Sequence, residues 1–162
     1  MKFKDILKNK ALLEKEVPAE ILKMLGLKKK GFEIGEKYYC INSYGKIICD
    51  YWDNCEIDIY RLKHGNASKT EEECIFKKEK QEVLAELREF AEENNTEIDW
   101  ENCGQIKWYL ICNYIYKSIE IFSSNSWKHL NDIYFTSEDL AKQAVAKVGE
   151  ERLKKYLFGV EV

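Results

Sequence analysis

The feature that most constrains this chain is one order of local signals written twice. From Tyr38 the chain reads "KYYCI", then "NSYGK", then "IICDYW", then a loop and the stretch "KTEEEC". From Trp108 it reads "KWYLICNYIY", "KSIEIF", the loop "SSNSWKHLND", "IYF" and "TSEDLA". Tyr38 to Thr70 spans 32 positions and Trp108 to Thr136 spans 28. Runs rich in aromatic and β-branched residues on either side of Asn, Ser and Gly predict hairpins, because Gly adopts a positive φ without steric cost. Thr with an acidic residue three positions on predicts a helix start. Its hydroxyl accepts from an amide of the first turn, and the carboxylates complement the positive end of the helix dipole.

Between the first hairpin and its helix, "EIDIYRL" reads as a third strand, with Ile57 and Ile59 on one face and Asp58 and Tyr60 on the other. The helix opening at Thr70 is expected to run to about Glu93, with Val83, Leu84, Leu87 and Ala91 as its buried stripe. The helix opening at Thr136 carries Leu140, Ala141, Ala144, Val145 and Val148 on one side and is interrupted by Gly149. The expected fold is therefore α+β: two degenerate units, each a β-hairpin plus a capped helix, with small antiparallel sheets. The units are drawn at residues 32–96 and 97–162, within a single compact domain. Residues 1–31 form a helical N-terminal arm in this reading. Phe3, Ile6, Leu7, Leu13 and Val17 fall near helical spacing, and Pro18 suits the first turn of a second short helix.

Composition narrows the function classes. No apolar run approaches the ~20 residues of a membrane span, and charges are scattered through the N-terminus, unlike a signal peptide. A cytoplasmic setting is the expectation. Net charge is −3, which argues against general nucleic-acid binding through phosphate neutralisation. Six cysteines contain no C-x-x-C pair, and His64 and His129 lack zinc-site spacing to any of them, so reduced thiols packed as small apolar groups are expected and no metal.

Motifs for catalysis are weak. His64 and His129 each lie in a loop without a nucleophile and orienting partner nearby in sequence, and no G-x-S-x-G or phosphate-loop pattern occurs. "DYWDNCEID" gathers Asp50, Asp53, Glu56 and Asp58 but lacks the glycine and spacing of a calcium loop. No cofactor is indicated. Ten tyrosines and four tryptophans are more than a core of this size needs. Lysines number 23 against three arginines, and Arg61 falls in the aromatic stretch after the first hairpin. Tyr51, Trp52, Asp53, Tyr60 and Arg61, with Trp127 of the second loop, are the candidate binding residues. Exposed Trp, Tyr and Arg are the types enriched in interface hot spots, and burial of these rings in the core is the competing reading.

The stretches "GEKYYCI" and "GNASKTEEEC", with an Arg between them, resemble a pattern in small proteins of tailed phages and prophages of low-GC Gram-positive bacteria. There a "GE.YYYI" hairpin leads to "R…GN" and then to a helix opening "T-E-E-A". The C-terminal "IYFTSEDLAKQAVAKVGEERLKKYLFGV" is similar to the ends of such proteins, and the resemblance covers residues 32–158. Ala67, Cys40 and Cys74 depart from it. The resemblance implies a non-enzymatic, phage-encoded accessory protein acting in the host cytoplasm, and first of all an inhibitor of a host antiviral defence system that binds a host protein stoichiometrically. Alternatives are a sponge for a nucleotide immune signal and an accessory role unrelated to defence.

Overall fold

The computed structural model describes residues 31–128 and 133–161. The fold is α+β, with two small antiparallel sheets and four α-helices among the described residues. The arm expected over residues 1–31 lies outside them, apart from Gly31, as does His129. By their internal contacts the residues divide into two units. One takes in residues 31–40 with Ile48–Lys69; the other combines Ile41–Ile47 with the described residues from Thr70 on.

In the first unit, β1 (Lys37–Ile41) and β2 (Ile47–Tyr51) form the expected hairpin. Its turn is set by Asn42, whose Oδ1 accepts from the amides of Tyr44 at 2.9 Å and Lys46 at 3.0 Å, while Gly45 takes φ +71°. Tyr38, Cys40, Trp52 and Ala67 are the core, with Phe32 and Ile48 packed against it. The rings of Phe32, Tyr38 and Trp52 meet pairwise at 5.2–5.8 Å between centroids, the range of favourable aromatic contacts.

The stretch read as a third strand is a helix, α1 (Glu56–Lys63). The reason lies in spacing. On a strand, Asp58 and Arg61 would point to opposite faces; on a helix, residues three apart share one face. Both side chains bond the Tyr38 hydroxyl, which only the helix permits. A strand-like segment does follow, where Ser68 exchanges both backbone hydrogen bonds with Tyr39 at 2.9 Å.

The second unit combines residues 41–47 with α2 (Glu71–Asn94) and the elements that follow it. Thr70 caps α2: Oγ1 accepts from the Glu73 amide at 3.2 Å. Strands β3 (Lys107–Asn113) and β4 (Ser118–Ser124) pair antiparallel, with Leu110 opposite Ile121 and Cys112 opposite Ile119. The short β5 (Tyr134–Phe135) pairs on the other side of β3, giving the order β4-β3-β5. Next comes α3 (Glu138–Val148), ended by Gly149 at φ +96°, then α4 (Glu150–Arg152), which continues as a π-helical turn over Leu153–Leu157. Val83, Leu87, Phe90 and Ala91 of α2 bury against Phe135, Ala141, Ala144, Val148 and Leu153, with Trp108, Leu110, Ile119 and Ile121 supplied by the sheet.

The second cap is shifted by one residue from the expectation. Ser137, not Thr136, accepts from the Leu140 amide at 3.2 Å. The Thr136 amide donates instead to Asn95 Oδ1 at 2.9 Å, while Asn95 Nδ2 donates to the Tyr134 carbonyl at 2.8 Å, tying the end of α2 to β5. Of the cysteines, Cys40 and Cys74 are buried as expected, but Cys49, Cys55 and Cys103 are exposed and Cys112 is half-buried.

Replacing Ser137 or Thr70 by Ala is expected to cost about 1 kcal/mol each, as the loss of an N-cap does. Urea denaturation checks this; a Ser137→Ala variant as stable as the parent would refute the assigned cap.

Candidate functional site

The chain leaving β2 alternates in direction, as extended backbone must. Tyr51 is exposed, and Trp52 turns inward to 5% exposure in the aromatic core. Asn54 then takes φ +64°, a left-handed conformation that Asn tolerates better than most residues. The Asp53 carboxylate accepts from the Cys55 amide at 2.8 Å, and α1 begins.

Under α1 lies a closed polar network. Asp58, 2% exposed, accepts from the Tyr38 hydroxyl at 2.6 Å and from the Asp53 amide at 2.9 Å. Arg61 donates from Nη1 to Tyr38 Oη and, at 2.7 Å, to Asp50 Oδ2. Burial alone would raise the Asp58 carboxyl, but the hydrogen bonds from Tyr38 and Asp53 outweigh it and hold it below the usual carboxylate range. Asp50 is lowered too, chiefly by the Arg61 guanidinium and then by the Tyr51 amide. Burial and the Asp58 carboxylate push the Tyr38 hydroxyl well above its ordinary value. Burial opposes the Arg61 charge, yet Asp50 and Tyr38 more than offset it and the guanidinium titrates above its usual range. All four side chains are thus held in one protonation state at neutral pH, a state suited to fastening α1 rather than to proton transfer.

The exposed side of α1 carries apolar side chains together with Glu56 and Lys63. Ile57 is 60%, Ile59 49% and Tyr60 63% exposed, and Leu62 is also exposed. The Tyr60 ring packs on His64 one turn later, 4.2 Å between centroids. The usual amphipathic arrangement is reversed here: the helix buries its carboxylate and turns its isoleucines outward.

The sequence-predicted residues therefore separate. Tyr51, Asp53 and Tyr60 are exposed in the first unit. Trp52 is corrected to a core residue, because the ring fills the space beside Phe32 and Tyr38. Arg61 is corrected to an internal clamp, because its guanidinium is engaged by Tyr38 and Asp50. Trp127 is 74% exposed but belongs to the other unit. Sequence reasoning missed Ile57 and Ile59, which it assigned to a strand face, and Tyr38 and Asp58. An Asp in the middle of an apolar run was the available signal. Asp53, Cys55 and Asp58 bring potential cation ligands within 4.8 Å of one another, but oxygens of both carboxylates already accept internal hydrogen bonds. No helix among the described residues is long and apolar enough to cross a membrane. Comparison of the chain with protein-family models, with curated proteins and with solved structures finds no match in any of the three.

Because Asp58 and Asp50 titrate lower in the folded chain than in the unfolded one, the unfolded state takes up protons first as pH falls. Their stabilisation is complete above the ordinary carboxylate range and is lost as pH drops through their folded values. Asp58→Asn should flatten this acid limb in thermal melts across pH. Tyr38→Phe should cost about 1.5–3 kcal/mol at neutral pH, the range for a hydrogen bond to a charged group. A Tyr38→Phe protein of parental stability would show that the network does not hold α1.

Proposed function

We propose that this chain is a non-enzymatic binding protein whose contact face is the outer side of α1 with the adjoining turn: Tyr51, Asp53, Ile57, Ile59 and Tyr60. The observation that carries this reading is the reversed polarity of α1. Keeping Ile57, Ile59 and Tyr60 in water forgoes stabilisation that folding would otherwise gain, and exposed apolar side chains on one short helix, of which Ile57 and Tyr60 lie three apart on one side, favour an interaction surface. The exposed Asp53, Glu56 and Lys63 border the face, so the fitting partner is a protein with an apolar groove edged by charges of both signs. A rim of such charges governs encounter and orientation, while the apolar centre supplies affinity.

The resemblance to accessory proteins of tailed phages favours a host protein as that partner. An antiviral defence effector, occluded stoichiometrically in the host cytoplasm, is the reading we adopt. Binding rather than turnover is favoured because the polar groups nearest the face are committed to one another.

Screening in plaque assays against host defence systems, followed by affinity measurement with the protein identified, tests the proposal. Ile57→Ser and Tyr60→Ala should each leave the melting temperature near the parent's and weaken binding by about 2 kcal/mol, roughly thirtyfold. Trp52→Ala should instead unfold the first unit. Unchanged affinity in both face variants, or catalytic turnover of a nucleotide signal at low protein ratio, would overturn the reading.

A further inference from the structure

The sheet of the second unit has two edges, and the chain treats them differently. At β5 the Asn95 side-chain amide stands in for a neighbouring strand: it donates to the Tyr134 carbonyl at 2.8 Å and accepts from the Thr136 amide at 2.9 Å. Those two groups therefore face away from the sheet, and Phe135 between them turns its backbone to Trp108 on β3. Alternation along β3 then directs the backbone groups of Tyr109 to Phe122 on β4. The same alternation leaves Ile119, Ile121 and Ser123 with amides and carbonyls pointing out of the sheet. At Ile119 this edge is covered: the Glu150 carboxylate, ion-paired with Lys154 at 2.6 Å, receives the Ile119 amide. The outward groups of Ile121 and Ser123 have no hydrogen-bond partner among the described residues.

Strand edges that stay single are normally blunted by Lys, Pro, a bulge or short length. Strand β4 has none of these. It is seven residues long, pairs one-for-one with β3, and its sequence "SIEIFSS" carries neither Lys nor Pro. Its one charge, Glu120, is engaged by Asn113 Nδ2 at 2.7 Å. Phe122 stands between the two open residues and is 47% exposed. With its cross-strand neighbour Tyr109, and Tyr134 beyond, it makes an aromatic row on the face opposite Leu110 and Ile121, and that row ends at the open edge.

We propose that β4 pairs antiparallel with β4 of a second copy of this chain, about a twofold axis at Phe122. Ile121 of each copy then exchanges both backbone hydrogen bonds with Ser123 of the other, which closes the open groups. Phe122 lies opposite Phe122 of the second copy in the close, non-hydrogen-bonded position, and the aromatic row continues across the interface. Glu120 falls opposite Ser124, so the strand meets no like charge. A register centred on Ile121 would need the Ile119 groups that Glu150 covers, and one centred on Ser123 would set Ile121 opposite Asn125, past the strand end. The second copy is the fitting occupant because the pairing is isologous: it consumes the same edge on both chains and stops at a dimer. Nothing in it depends on the α1 face, so either proposal survives the failure of the other.

Sedimentation velocity of the full chain over a concentration series tests this. The parent should pass from monomer to dimer with a Kd of about 10–100 μM, and the amides of Ile121 and Ser123 should exchange more slowly as dimer forms. S123P removes an outward N–H and blocks the edge, at a position where no hydrogen bond within the sheet is lost. It should melt near the parent's temperature and raise the dimer Kd at least about tenfold. F122K places like charges opposite each other across the axis and should weaken the dimer similarly; it decides the matter if S123P fails to fold. A parent that stays monomeric up to about 1 mM would overturn the proposal. So would folded variants that dimerise with the parent's Kd.

Discussion

The first unit depends on one buried carboxylate. Asp58 sits at 2% exposure with an acceptor oxygen on the Tyr38 hydroxyl and the other on the Asp53 amide. A carboxylate taken that far from water is tolerated only with such partners, and removing one leaves a buried charge unsatisfied. The requirement propagates outward. Tyr38 must come from the hairpin, Asp53 from the turn, and Arg61 must share a helix face with Asp58 so as to bridge Tyr38 to Asp50 on β2. Strand, turn and helix are thereby fastened through one hydroxyl. With Asp58 and Arg61 turned inward, Ile57, Ile59 and Tyr60 are left exposed beside Glu56 and Lys63.

The second unit is held in a more ordinary way. Its helices lay small and branched residues onto one sheet face, where Leu110 and Ile121 are cross-strand partners. Polar ties supplement this packing. Asn95 joins the last turn of α2 to β5, Glu86 clamps Arg152 of α4, and Lys107, fully buried, donates to the carbonyls of Asn102 and Asn125. Both units present apolar side chains to water, among them Ile57, Ile59 and Tyr60 in the first and Tyr114, Ile115, Tyr116 and Trp127 in the second.

What could be read from the chain follows the same division. The hairpins and both capped helices rest on local signals, such as Asn42 and Gly45 in the turn or Thr70 before its acids, and local signals are visible in sequence. Alpha-helix α1 was not legible, because alternation in "EIDIYRL" fits a strand and the decisive contact is with Tyr38, twenty positions from Asp58. The shift of the cap from Thr136 to Ser137 has the same origin, since Asn95 takes the Thr136 amide from 41 residues away. Within the candidate site, Tyr51 and Trp52 were both named although neighbours on an extended chain face opposite ways; alternation alone required one of them to be interior. Arg61 was read as a free guanidinium because its two acceptors lie on other elements.

The central claim is that Tyr38, Asp58 and Arg61 act as a unit that fixes α1 and so presents its apolar face. A double-mutant cycle on Tyr38→Phe and Arg61→Met, read by equilibrium denaturation, tests this most directly. Groups in one hydrogen-bonded network couple by about 0.5–3 kcal/mol, whereas independent sites add to within about 0.5 kcal/mol. The account predicts a coupling of about 1 kcal/mol or more between the two substitutions. Simple additivity, with α1 equally protected from hydrogen exchange in the double variant, would contradict it.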